Sequence, residues 1–347
     1  MIRVLIVDDS ATVRGLLKRQ LSRDPEIQVV GAAPDPYAAR DMILKLRPDV
    51  LTLDIEMPRM NGLTFLKKLM AHYPLPVIIL SSVAEKGSHN AIEALRLGAV
   101  DVISKAGAAE SIGEIGEQLA RKIKAAATVH VDRLKPVATA AAPAPTPTAF
   151  TFAPGRVIAI GASTGGTRAI EAVVRSFPPN APGTLLVQHM PVHFTKSFAD
   201  GLNRVCAIQV REAKHGDMLT PGLALVAPGN HHMVLKRAGT SYRVETNQEP
   251  REHYQRPAVD VTFRSVAAAV GPEAVGVVLT GMGADGATGL LQMRQAGAHT
   301  IAQDRETSVV YGMPKEAAAL NAAEKVLPLS EIARATLLFA TAARGAA

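Results

Sequence analysis

Residues 136–154 read Pro-Val-Ala-Thr-Ala-Ala-Ala-Pro-Ala-Pro-Thr-Pro-Thr-Ala-Phe-Thr-Phe-Ala-Pro. This stretch constrains the fold more than any other feature. Its prolines lack the N–H that helices and sheet ladders use, and its small side chains cannot seal a core, so it reads as a semi-extended linker. The 347-residue chain must then bury its apolar side chains in two cores, one on each side. We place one domain at residues 1–124, the linker at 125–154 and a second domain at 155–347.

Both flanks alternate strand and helix signals. In the first, strand-like runs at 3–7, 28–33, 50–53, 77–80 and 100–103 are separated by helical periodicity at 12–23, 36–46, 61–71 and 88–97. A last helical pattern at 111–127 closes the set. Five βα repeats imply an α/β domain with a parallel sheet covered on both faces, in a flavodoxin-like (βα)5 arrangement. In the second flank, strand candidates lie at 157–160, 184–187, 208–211, 223–227, 242–245, 275–279 and 299–302. Helical patterns lie at 167–176, 194–204, 261–270 and 287–296. This flank reads as a doubly wound, mainly parallel α/β domain.

Composition removes several functions. With 48% hydrophobic and 20% charged residues the chain is globular, neither disordered nor fibrous. No apolar run approaches the ~20 residues of a membrane span, so no direct membrane insertion is expected. The opening Met1-Ile-Arg-Val-Leu-Ile-Val-Asp-Asp is too short and too soon acidic for a signal peptide. Cys206 is the only cysteine, which excludes an internal disulfide and fits a reducing, cytoplasmic location. Between Val205 and Ala207 it is expected to be a small buried hydrophobe. The net charge of +7 is spread without a dense basic run, aromatic content is 4%, and no helix-turn-helix with a basic second helix is visible. Nucleic acid is therefore not an expected partner.

In parallel sheets, ligands sit beyond the carboxyl ends of the strands. Asp8 and Asp9 end the first strand, Asp54 the third and Ser81 the fourth, and Lys105 follows the fifth. Any one aspartate at such a junction can simply cap a turn. Four junctions agreeing point instead to a site where crowded carboxylates hold Mg²⁺, Lys105 pairs with an added phosphoryl group and the Ser81 hydroxyl donates to it. Val7-Asp8-Asp9-Ser10 and Leu53-Asp54-Ile55-Glu56-Met57-Pro58-Arg59-Met60-Asn61-Gly62 make residues 1–124 resemble a response-regulator receiver domain. The resemblance implies that Asp54 accepts the phosphoryl group. It also implies that Asp8, Asp9, Asp54 and the Glu56 backbone carbonyl hold Mg²⁺. Two positions depart from the usual pattern: Ala106 follows Lys105 where proline is usual, and Val102 stands where Tyr or Phe is common.

In the second flank, Gly161-Ala-Ser163-Thr-Gly165-Gly166 joins a strand to a helix. Such a turn can cradle a phosphate at a helix N-terminus or expose Ser163 as a nucleophile. A serine nucleophile needs a base and an orienting acid. His189 follows the strand at 184–187, and Asp285 lies in Thr280-Gly-Met-Gly-Ala-Asp285-Gly286 after the strand at 275–279. All three residues can meet at one sheet edge, and glycines 281, 283 and 286 let backbone N–H groups approach an oxyanion. The order Ser, His, Asp differs from the Ser, Asp, His of ordinary α/β-hydrolases. His231-His232 is a poor metal pair, because neighbours on a strand face opposite sides. Met190 and Met313 are expected to pack, and Arg256 is either structural or a substrate-positioning cation.

These blocks, together with Gln188-His-Met190, Arg256-Pro257, Val259-Asp260 and Tyr311-Gly-Met-Pro314, resemble the chemotaxis protein-glutamate methylesterase family, CheB. The resemblance covers receiver, linker and methylesterase domain. It implies a serine carboxylic-ester hydrolase that demethylates glutamyl methyl esters on methyl-accepting chemoreceptors and deamidates their glutamines, with a histidine kinase as phosphodonor. Ser163 would be the nucleophile, His189 the base and Asp285 its orienting acid. The Met282 N–H is the expected oxyanion donor, with Thr164 a second candidate. No cofactor is expected for the ester reaction. The two-site layout and the resemblance together predict that the unphosphorylated receiver docks over the Ser163 cleft and that phosphorylation weakens this docking. Two rival readings are a receiver-linked module whose Gly-rich turn binds a nucleotide, and a DNA-binding response regulator.

Overall fold

The structure, a computed structural model, describes residues 1–58, 60–81, 85–105, 112–129 and 150–341. The chain forms two compact units, Met1–Ala138 and Thr139–Ala347. Positions 106 and 130–149, where the unusual alanine and most of the expected linker fall, lie outside the described residues.

The first unit contains β1 (Ile2–Val7), α1 (Ala11–Leu21), β2 (Ile27–Ala33), α2 (Pro36–Leu46), β3 (Val50–Asp54), α3 (Gly62–His72), β4 (Val77–Ser81), α4 (Glu85–Arg96), β5 (Asp101–Ser104) and α5 (Ile112–Ala127). The sheet order is β2-β1-β3-β4-β5, all parallel. This is the flavodoxin-like arrangement expected of five βα repeats. Central strands β3 and β4 are buried along their whole length, as apolar runs flanked by helices must be. Helix starts carry their caps in the sequence. Ser10 Oγ accepts from Val13 N, Asp35 Oδ1 from Tyr37 N and Ala38 N, and Asn61 Oδ1 from Leu63 N. Helix α5 reaches Ala127 with Ala125 and Ala126 buried, so it carries this unit's packing past position 124.

The second unit runs β6 (Val157–Ala162), α6 (Gly166–Val174), β7 (Gly183–Gln188), α7 (Phe194–Asn203), β8 (Gln209–Glu212), β9 (Met218–Leu219), β10 (Leu223–Val226), β11 (His232–Ala238), β12 (Ser241–Asn247), α8 (Val259–Ala269), β13 (Ala274–Val278), α9 (Ala287–Gln295), β14 (His299–Gln303), α10 (Met313–Ala319), β15 (Lys325–Leu327) and α11 (Leu329–Thr341). Its main sheet has the order β15-β14-β13-β6-β7-β10-β8, with every pairing parallel. The chain builds outward from β6 through β7 in one direction and through β13 in the other. The crevice beside β6 is therefore the topological switch point, where doubly wound folds bind ligands.

Sequence periodicity misses β9, β11, β15, α10 and α11. It finds a strand at 242–245 without assigning it a sheet, and β12 belongs to a separate antiparallel sheet, β11-β12-β9. Strand pattern reports a pleated half-buried surface, not which sheet the strand joins. Phe150 and Phe152, near the end of the expected linker, stack with ring centroids 5.8 Å apart.

Candidate active site and phosphoacceptor site

Three strand ends meet in register at the switch point. Gly161 on β6 pairs with Val278 on β13 and with Val187 on β7. Beyond the strands the ladder continues as Ser163 N to Thr280 O (3.0 Å), His189 N to Ala162 O (3.1 Å) and Leu279 N to Gly161 O (2.9 Å). The loops then turn sharply into helices. Gly165, His193 and Gly286, the residues that open α6, α7 and α9, all adopt left-handed backbone with φ of 79°, 74° and 88°. Glycine takes that region without the Cβ clash. The turns keep Ser163, His189 and Asp285 at the sheet edge.

His189 and Asp285 are both buried, and His189 Nε2 lies 2.7 Å from Asp285 Oδ2. With Nε2 engaged, Nδ1 is the ring nitrogen left to take a serine proton. Asp285 is held at the N-terminus of α8, where Val259 N donates to Oδ2 (2.7 Å) and Asp260 N to Oδ1 (2.8 Å). Free N–H groups and the helix dipole favour a carboxylate there. Burial works against the charge, but the His189 hydrogen bond and charge and the two helix N–H groups outweigh it and hold Asp285 below the ordinary aspartate range.

Ser163 is half-buried. It joins the pair through the backbone and through Gln188, whose Nε2 donates to Ser163 O (2.8 Å) and His189 O (3.2 Å). Among the described residues no hydroxyl–imidazole hydrogen bond links Ser163 to His189, and such bonds commonly tighten only around substrate. Met282 is 36% exposed beside the serine turn, and its N–H has no protein acceptor among the described residues. Thr164 is buried, and its carbonyl accepts from Thr280 Oγ1 at 3.0 Å.

The remaining sequence candidates are structural in their contacts. His231 Nδ1 lies 3.3 Å from Gly229 O, outside any strand, while His232 bridges Pro250 O and Ala258 N. Arg256 is spent on Asn230 Oδ1 and on the carbonyls of Gln248 and Glu249. Met190 and Met313 are buried. Cys206, expected to be buried, is only half-buried. Sequence reasoning gave no role to the Gln188 carboxamide or to Asp260. The available signals were the adjacency of Gln188 to His189 and the place of Asp260 in the first turn of a helix.

In the first unit, Asp8, Asp9 and Asp54 each place a carboxylate oxygen within 4.8 Å of the others. Asp8 and Asp54 are buried and Asp9 is exposed. Lys105 Nζ bridges Asp8 Oδ2 (2.7 Å) and Asp54 Oδ2 (2.6 Å). Burial pushes the Asp8 carboxyl up despite Lys105. Burial disfavours the Lys105 charge, but Asp54 and Asp8 reverse that and hold its ammonium above the usual range. Asp54 Oδ1 accepts from Glu56 N at 3.0 Å, which turns the Glu56 peptide at the rim. Gly62 packs so closely that a Cβ there would lie 2.3 Å from Asp54 O. Ser81 is buried at the end of β4, and its carbonyl accepts from Lys105 N (2.8 Å). Val102, at the position where receivers often carry an aromatic, is buried in β5. The hard oxygen donors and the upward pressure on Asp8 fit a divalent cation such as Mg²⁺.

A receiver sheet in one unit and a Ser/His/Asp edge on a doubly wound sheet in the other are the layout of a response regulator joined to a hydrolase domain. Residues 4–115 match the response regulator receiver domain model and residues 158–336 match CheB methylesterase. A protein from Syntrophus aciditrophicus, "Protein-glutamate methylesterase/protein-glutamine glutaminase 2", is 54% identical over 96% of this chain and 97% of its own. Its namesake from Pseudomonas aeruginosa is 50% identical over 99% and 98%. The Thermotoga maritima CheB methylesterase catalytic domain superposes with a TM-score of 0.52 at 36% identity, covering 53% of this chain and 98% of that one. The chain belongs to the CheB methylesterase family.

Proposed function

We propose that this protein is a phosphorylation-regulated serine esterase that hydrolyses glutamyl methyl esters, and deamidates glutamines, on the helices of chemoreceptors. The observation that carries the reading is the buried His189–Asp285 hydrogen bond beside the Ser163 turn. A base oriented by a carboxylate next to a serine on a strand-to-helix turn is the arrangement acyl transfer requires.

In this reading His189 Nδ1 takes the Ser163 proton as Oγ adds to the ester carbonyl. The carbonyl oxygen becomes an oxyanion received by the Met282 N–H, with Thr164 as the second candidate. Ionised Asp285 stabilises the imidazolium. The imidazolium proton on His189 passes to the leaving methoxide, methanol departs, and the glutamyl acyl group stays on Ser163. Water, deprotonated by the same imidazole, then releases the glutamate. A glutamine side chain would follow the same path with ammonia as leaving group.

The receiver unit supplies control. Asp8, Asp9, Asp54 and the Glu56 carbonyl would hold Mg²⁺, which neutralises the charge met by an incoming phosphoryl group. Asp54 would accept that group from a histidine kinase, with Lys105 and Ser81 contacting its oxygens. Among the described residues no helix is long and apolar enough to cross a membrane. A nucleotide-binding reading is less favoured, because the Gly-rich turn stands at the same sheet edge as the buried His189–Asp285 pair, which phosphate binding does not need.

The test is methanol release from methylated receptor membranes by wild type and Ser163→Ala, each with and without a small phosphodonor and Mg²⁺. Release by wild type alone, increased by the phosphodonor, is expected. Release that persists in Ser163→Ala would overturn the serine mechanism.

A further inference from the structure

A second His–Asp pair lies directly behind the first. Asp260 is 1% exposed, and its carboxylate sits within 4.8 Å of that of Asp285. Its Oδ1 accepts from Gly289 N (2.6 Å) in the first turn of α9, and its Oδ2 meets His253 Nε2 (2.9 Å). Its own N–H donates to Asp285 Oδ1 (2.8 Å). Asp260 thus ties α9, α8 and the 251–256 loop to the carboxylate that orients His189. The cluster is spent on these N–H and imidazole donors, so it reads as a hydrogen-bonded relay rather than a metal site.

The cost of this arrangement argues that it has a use. A buried carboxylate beside another carboxylate is expensive, and asparagine could accept the Gly289 N–H equally well. Burial, and then the charge of Asp285, push Asp260 above the ordinary aspartate range against the pull of Gly289 N and His253. The other charged groups facing it are Arg264 on α8, which pairs with Glu252, and His189 across Asp285. His253, with φ of 49° and a side chain 42% exposed, reaches inward from a tight loop to meet Asp260.

We propose that Asp260, backed by His253, is a positioning residue for the Asp285–His189 pair, fixing the Asp285 carboxylate and placing a second buried negative charge behind the imidazole. The added charge stabilises the His189 imidazolium that forms when Ser163 gives up its proton. This rests on the esterase reading for its effect on rate, but not for its effect on the imidazole.

The experiment is therefore read twice in full-length protein: by the pH–rate profile of methanol release, and by NMR titration of the His189 ring, which needs no activity. Asp260→Asn keeps an acceptor for Gly289 N and removes the charge. The His189 midpoint and the acid limb of the profile are expected to fall together by about half to one pH unit. A loss of kcat with KM little changed is expected alongside. If Asp260→Asn does not fold, His253→Gln tests the same link from a half-exposed position, where a displaced His189 midpoint supports it. A folded Asp260→Asn whose His189 midpoint equals that of wild type overturns the proposal, as does an unmoved midpoint in His253→Gln when only that variant folds. Absence of release from wild type would sink the esterase reading while leaving the ring titration as a valid test.

Discussion

Gly281 and Ser163 are in contact so close that no side chain fits between them: a Cβ on Gly281 would lie 2.7 Å from Ser163 Cβ and 2.3 Å from Met313 Sδ. Gly281 also donates its N–H to Val310 O, and its carbonyl receives the N–H groups of Gly312 and Met313, so its backbone cannot easily retreat. Gly281→Ala should displace the serine turn instead. A misplacement near 1 Å costs about a hundredfold in rate. We expect kcat to fall by about that factor with the fold retained, checked by circular dichroism alongside methanol release. Wild-type kcat in this variant would mean that the serine turn tolerates the shift.

Asp285 serves two elements at once, orienting His189 and capping α8. Asp285→Asn should therefore lose activity and stability together. Loss of the carboxylate at such a histidine lowers kcat by up to roughly 10⁴. Replacing two N–H acceptor contacts at a helix start should cost about 1 kcal/mol. The pH dependence has a fixed sign. Because the folded-state value is depressed, the stabilisation is fully present above the ordinary aspartate value of 3.8 and is lost as pH falls below it. The stability gap between wild type and variant, measured by urea unfolding, should be constant near neutrality and close in strong acid.

Both candidate sites were legible in sequence because their residues lie at strand ends or, for Asp285, in the loop that follows one. Asp8, Asp54 and Lys105 converge once five βα repeats fix a parallel sheet, and Ser163, His189 and Asp285 do the same at the second switch point. What escaped depends on contacts between distant segments. Asp260 matters because α8 meets Asp285 and Gly289, and no local pattern encodes that meeting. Helix α10 is only seven residues long and opens on Met313-Pro314, too short for helical periodicity to stand out although Pro is well suited to the first helical turn. Strand β11 carries Lys236 and Arg237 at its exposed end, which blurs its alternation.

Among the described residues, Gln188 is the one side chain that hydrogen-bonds the backbone of both the candidate nucleophile and the candidate base, through Ser163 O and His189 O. Gln188→Leu keeps much of the volume and removes both bonds. A buried hydrogen bond of this kind contributes about 1 kcal/mol, so kcat should drop about fivefold if the bond fixes the serine turn. KM should change little, because the carboxamide faces the scaffold. A raised KM at constant kcat would assign Gln188 to substrate binding instead.

The phosphoacceptor site should show the opposite relation between function and stability. Asp8 is fully buried beside Asp54, and burial holds its carboxyl above the ordinary range even with Lys105 2.7 Å away. A raised carboxyl value means that the folded state binds the proton more tightly than the unfolded one. Stability then falls as pH rises from 3.8 through the raised value, and the deficit persists at neutral pH. Asp8→Asn removes that deficit while Lys105 keeps Asp54 as partner. We expect the first unit to gain roughly 1 kcal/mol without added metal, a size usual for relieving a functional site. Mg²⁺ should stabilise wild type by mass action and the variant far less. Phosphodonor-stimulated methanol release should disappear in Asp8→Asn and in Asp54→Asn, with basal release retained. Equal Mg²⁺ stabilisation of wild type and Asp8→Asn would remove Asp8 from the metal site.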